Sequence, residues 1–159
     1  MMRATKILVL IVAAAALVTG STGCNKKRPT RPPLDENAVI GTWAEPTSAE
    51  EVNPRAAGLT AEKYHRKIEM KADHTFVFTI LTKSGKTAGT IEGNWKLNPE
   101  KNIIEFEVTS STLSASSELN DWAPATSIGV YELNVKGKGV VQALSITDKL
   151  DNGFDLFRE

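Results

Sequence analysis

The side chains whose types and spacing could do chemistry are few: the carboxylate pair Glu105 and Glu107, the histidines His65 and His74, and the single cysteine Cys24. Two acids two positions apart share one face of a strand, the arrangement that paired glycosidase acids need. Here they alternate with Ile104, Phe106 and Val108, so the acids fall on the solvent face of a half-buried strand. The histidines lack a His-x-x-x-His spacing, and the cysteine lies far ahead of both, which leaves no metal-ligand pattern. No serine stands in a nucleophile elbow, and no Gly-rich loop joins a strand to a helix. These residues assign no catalytic group, no metal ligand and no cofactor, and the expectation is a protein that is not an enzyme.

Cys24 carries the remaining chemistry. Ahead of it, Arg3 and Lys6 form a positive start, residues 7–18 an apolar run, and residues 19–23 a small or polar stretch, the three parts of a signal peptide over 1–23. At ~1.5 Å per residue the apolar run makes a helix of about 18 Å, too short for ~30 Å of hydrocarbon. Ser21-Thr22-Gly23-Cys24 resembles the bacterial lipobox, in which the cysteine thiol receives diacylglycerol before cleavage. It departs at Ser21, where that motif usually has a bulky apolar residue, and an ordinary secretory peptidase would cut the same bond. The resemblance implies a lipid on Cys24 that holds the protein to a membrane of a bacterial cell envelope, with its domain in the periplasm or outside the cell. Asn25 after the cysteine is similar to lipoproteins sorted to an outer membrane.

Residues 24–37 come next as the lipidated cysteine and a tether. Lys26, Lys27, Arg28 and Arg31 alternate with Pro29, Pro32 and Pro33, a composition that favours extended polyproline II and buries no apolar face. At ~3.1 Å per residue it reaches about 40 Å. Its basic residues lie where they can add attraction to anionic headgroups, or serve only as a solvated linker. From Ala38 onward 13 Lys and Arg stand against 17 Asp and Glu, so the domain is acidic and no nucleic-acid partner is expected.

The elements that must position any site lie in 38–159, long enough for one core without disulfides. The period is two throughout: Ile91, Gly93, Trp95 and Leu97 alternate with Thr90, Glu92, Asn94 and Lys96. Strands are predicted over 39–44, 67–72, 75–82, 88–97, 102–109, 127–136, 140–147 and 154–158. Asp73-His74, Ser84-Gly85, Asn98-Pro99 and Asn152-Gly153 mark tight turns. Short links require antiparallel neighbours, and a meander of this size usually removes its edges by closing, so the predicted fold is all-β: an eight-stranded antiparallel up-and-down barrel. A short helix over 61–66, with Thr60 as N-cap, is expected in the first long loop.

Gly41-Thr42-Trp43 in the first strand, Asp73-His74-Thr75-Phe76 at the first hairpin, Gly93-Asn94-Trp95 in the fourth strand and Phe157-Arg158 at the end resemble the small bacterial lipocalin-like domains. The resemblance implies a barrel closed at one end by Gly41, Trp43 and Arg158 and open at the other, in a family whose better-known members bind small apolar molecules. The long connections, 45–66 and 110–126, are the first and fifth of the meander and therefore crowd one end. The second of them carries Leu113, Leu119 and Trp122. With Trp95, Phe106 and Tyr131 from the strands, these are the candidate ligand contacts, Trp95 and Tyr131 as donors, if the barrel is hollow. Filled, Trp95, Phe106 and Tyr131 are core. Two functions fit: a membrane-anchored binding protein for a small, partly apolar ligand, or a solid barrel whose long loops dock an envelope protein.

Overall fold

The computed structural model describes residues 33–45, 63–135 and 139–159. Eight strands close into one antiparallel barrel in sequence order: β1 Gly41–Ala44, β2 Tyr64–Met70, β3 Thr75–Thr82, β4 Thr87–Asn98, β5 Ile103–Ser111, β6 Pro124–Val135, β7 Gly139–Asp148 and β8 Gly153–Arg158. One short helix, α1 Glu36–Val39, precedes β1, and a 3-10 turn, Glu118–Trp122, lies between β5 and β6. Helix α1 is capped by Asp35, whose carboxylate accepts from Asn37 N. The helix expected over 61–66 is absent where it is described: Tyr64, His65 and Arg66 pair with Thr82, Leu81 and Ile80 as the start of β2. Residues 60–62, with the expected N-cap, lie outside the described residues.

The tight turns close as their residues require. His74, Asn102 and Asp151 hold positive φ in the β2–β3, β4–β5 and β7–β8 turns, a left-handed region that Asn, Asp and His enter more readily than β-branched residues. Asp73 holds the first of these together by accepting from Thr75 N and Thr75 Oγ1. Asp148 holds the last by accepting from the backbone N–H of Leu150 and Asn152.

Inward positions of successive strands are filled by large side chains. Trp43, Ile68, Phe76, Phe78, Ile80, Ile91, Trp95, Ile104, Leu144, Ile146 and Leu156 are each at most 1% exposed. Phe76 meets Phe106 edge to face at 5.2 Å, and Phe78 meets Phe154 at 6.4 Å. This interior is a packed core, as narrow eight-stranded barrels allow. Core-facing strands carry the alternation read from the sequence, with β3 placing Phe76, Phe78 and Ile80 inward.

Two seams are narrow. Strand β1 meets β8 only at Trp43↔Arg158 and Ala44↔Phe157, and β5 meets β6 only at Ile104↔Ser127 and Glu105↔Thr126. Past the second seam, Leu34 lies against Gly129 of β6 and donates its N–H to Asn102 Oδ1 at 3.1 Å. Residues 33–37 fall within the compact unit Pro32–Glu159. The polyproline-like composition ends at Pro33, and Leu34 supplies the apolar anchor that docks this segment and α1 onto the barrel.

Candidate functional site

The up-and-down order places β2–β3, β4–β5 and β6–β7 connections at one end and the others at the opposite end. The first end is shut by α1 and the β1 entry. Trp43 is fully buried and donates from Nε1 to Val39 O at 2.8 Å. Arg158 lies over its ring at 4.4 Å and donates to Ile40 O and Ala38 O. Gly41 has φ +137 and a Cβ there would sit 3.1 Å from Arg158 Nη1, so glycine both allows the backbone bend and leaves the guanidinium its place. His74 pairs with Glu36 and stacks on Trp95 at 4.7 Å, tying α1 to the β2–β3 turn.

The mouth, where both long connections leave the strands, is built differently. Glu45 continues the inward side of β1 after Trp43, and Arg66 enters from β2 opposite it. Glu45 Oε1 accepts from Arg66 Nε at 2.8 Å and from Nη2 at 2.5 Å, while Oε2 accepts from Arg66 N at 2.7 Å. The pair is buried, with side chains 5% and 6% exposed. Its guanidinium lies 3.7 Å over the Phe154 ring and 5.9 Å from the Trp122 ring. A buried charge held in this way needs its partner, and the forked geometry of arginine supplies the hydrogen bonds that offset desolvation.

On top of this plug, the 3-10 turn lays Leu119 and Trp122 beside β2. Ser117 caps the turn by accepting from Leu119 N, and Asn120 is anchored by donating to Ser114 O at 2.6 Å. Trp122 meets Tyr64 edge to face, centroids 5.8 Å apart at 71°. Together with Lys63, Ser116, Ser117 and Glu118 they line a half-open cleft of about 670 Å³, within the ~300–1,000 Å³ usual for small-ligand sites.

Of the candidate ligand contacts, the cleft brings together Leu119 and Trp122. Leu113 packs elsewhere, over Gly89, where a Cβ would lie 2.7 Å from Leu113 Cγ. Trp95 and Phe106 belong to the interior, and Trp95 Nε1 is engaged by Lys71 O at 3.2 Å on the side of the closed end. Tyr131 faces outward, on the face of Ala143 rather than that of Val130 and Leu144. Cys24 lies outside the described residues. Lys63, Tyr64, Glu118 and the Glu45–Arg66 pair were not singled out by the sequence. The signal that could have found one of them is the alternation Trp43, Glu45, had the first strand been carried one residue past 44.

Glu105 is not poised as a proton donor. Glu105 accepts from Asn98 Nδ2 at 2.9 Å and pairs with Lys96 and Lys101. Chiefly the Asn98 hydrogen bond, aided by Lys101, holds its carboxyl below the usual glutamate range, opposite to the shift that a proton donor needs. Asp73 is likewise held low, by its hydrogen bonds from Thr75. Among the described residues no three His, Cys, Asp or Glu cluster as metal ligands, and no helix is long and apolar enough to cross a membrane.

No protein-family model matches this chain, and no curated protein does. Among solved structures, the crystal structure of a DUF4847 family protein from Bacteroides vulgatus is similar at 20% identity, covering 76% of this chain and 93% of that one, with a TM-score of 0.38. A likeness of that size carries no argument about function, and the barrel stands on its own strand pairing.

Proposed function

We propose that this protein is a membrane-anchored envelope lipoprotein, held by a lipid on Cys24, whose non-catalytic barrel binds a small, partly apolar ligand at its mouth and not in its interior. The observation that carries this reading is the division between a core filled by side chains and a half-open cleft above it, lined by Tyr64, Leu119 and Trp122 on one hand and Lys63, Ser116, Ser117 and Glu118 on the other. Apolar contacts would supply the affinity at ~25 cal/mol per Å², and the polar groups the orientation. The ordering of Leu119 and Trp122 by Ser117, Asn120 and the Arg66 plug supports a site formed before the ligand arrives.

The solid interior also favours a second reading, in which the same mouth docks an envelope protein. Native mass spectrometry of the detergent-extracted protein separates the two. Under the first reading a small species co-purifies with the wild-type chain and is lost in Trp122→Ala. Its absence over repeated extractions, with one envelope protein captured in its place, favours docking. The anchor has its own test: incorporation of a fatty-acid analogue that persists in Cys24→Ala would remove the lipid from the account.

A further inference from the structure

The chemistry of the mouth cleft narrows the ligand further, an inference that rests on the binding reading above. Tyr64 and Trp122 form an aromatic corner at 71°, and among the described residues neither the Tyr64 hydroxyl nor the Trp122 indole N–H is engaged in a hydrogen bond. Beside them stand an ammonium, Lys63, a carboxylate, Glu118, and the Ser116 hydroxyl. The site therefore offers flat apolar surface together with both donors and acceptors, and its two charges are of opposite sign. With one charge of each sign among its lining residues, the cleft carries no net charge that would select an anion or a cation. Among the described residues a long alkyl chain finds no channel beneath the cleft, because the interior there is occupied up to the Arg66–Glu45 pair. The cleft is half-open, so the outer side of a ligand stays in water.

We propose that the ligand is a neutral saccharide. A pyranose ring presents a C–H face that packs on an aromatic ring, and equatorial hydroxyls that each donate and accept, which matches Glu118 and Ser116 as acceptors and Lys63, Tyr64 and Trp122 as donors. The solvent-facing hydroxyls remain hydrated in a site of this openness.

The test is titration of the full-length protein in detergent with three sets of probes: neutral oligosaccharides of glucose, mannose, galactose and N-acetylglucosamine; alkyl carboxylates of ten to sixteen carbons; and a mixed-sequence pentapeptide library. The saccharide reading expects saturable binding of at least one oligosaccharide, weakened about tenfold or more by Trp122→Ala and also by Glu118→Gln. Far-ultraviolet circular dichroism of both variants checks that the barrel persists, and Glu118→Asp, which keeps the carboxylate, retains part of the affinity. Trp122-dependent binding of an alkyl carboxylate or a peptide, with no saccharide bound, overturns the saccharide assignment and leaves the mouth as a binding site. No Trp122-dependent binding in any set removes the mouth site and the saccharide with it.

Discussion

Removing Glu45 while leaving Arg66 in place isolates the energetics of the mouth. In Glu45→Leu the Arg66 guanidinium, 5% exposed in its side chain and stacked 3.7 Å over Phe154, loses the carboxylate that satisfies its Nε and Nη2 and its own backbone N–H. Removing one member of a buried pair costs about 3–5 kcal/mol, whereas replacing both by apolar residues of similar volume is close to neutral or stabilising. The double variant Glu45→Leu/Arg66→Met should therefore recover most of the loss. For a domain whose total stability is ~5–15 kcal/mol, the single variant is a large perturbation. With a urea slope of ~2 kcal/mol per M, the midpoint falls by about 2 M in Glu45→Leu and by less than ~0.5 M in the double variant. Urea unfolding followed by tryptophan fluorescence measures both. A loss below ~1 kcal/mol in the single variant, or a double variant as unstable as the single, would refute the claim that this pair is a coupled, desolvated plug.

Other outcomes rest on the same packing. Gly89→Ala should destabilise by about 1–3 kcal/mol by driving Leu113 out of its seat, and Leu113→Ala in the same chain should relieve much of that; thermal melts of the two single variants and the double measure it. Arg158→Ala removes the cation over Trp43 and two hydrogen bonds to backbone carbonyls, for about 1–3 kcal/mol, with loosened α1 visible as faster amide exchange at Val39 and Ile40. Asp73 and Glu105 both have lowered folded-state pKa values, so their contribution to stability is present above the unfolded carboxylate values of ~3.9 and ~4.3 and is lost as pH falls through the lower folded ones. Carbon-detected titration should find Asp73 shifted up in Thr75→Val and Glu105 shifted up in Asn98→Ala; unchanged values would contradict the hydrogen-bond origin of both shifts.

The closed meander was legible because strand period and turn chemistry agree locally. Phe76, Phe78 and Ile80 alternate with Val77, Thr79 and Leu81, and the turns sit at His74, Asn102 and Asp151. The side to which Tyr131 points was not legible. Strand β6 shifts register between Ser127 and Gly129, so Ser127 opposite Ile146 and Val130 opposite Leu144 both face in, three positions apart. A one-residue irregularity reverses every later side chain, and strict alternation from Ser127 would have turned Tyr131 inward. Arg66 was hidden for a related reason. Tyr64-His65-Arg66 has no apolar alternation, and its place in the strand is set by pairing with β3 and by Glu45, contacts that only the fold supplies. Whether the interior is filled depends on how side chains from eight strands interdigitate, and period two says nothing of it.

The three tryptophans report on three places: Trp43 at the closed end, Trp95 within the barrel and Trp122 at the mouth. Their indole N–H resonances, assigned by substitution and followed while an oligosaccharide mixture or an envelope extract is titrated in, test the central claim directly. Binding at the mouth predicts that the Trp122 resonance moves in a saturable manner while those of Trp43 and Trp95 hold still. A ligand that shifts Trp95 and leaves Trp122 unmoved would place binding inside the barrel and contradict the account.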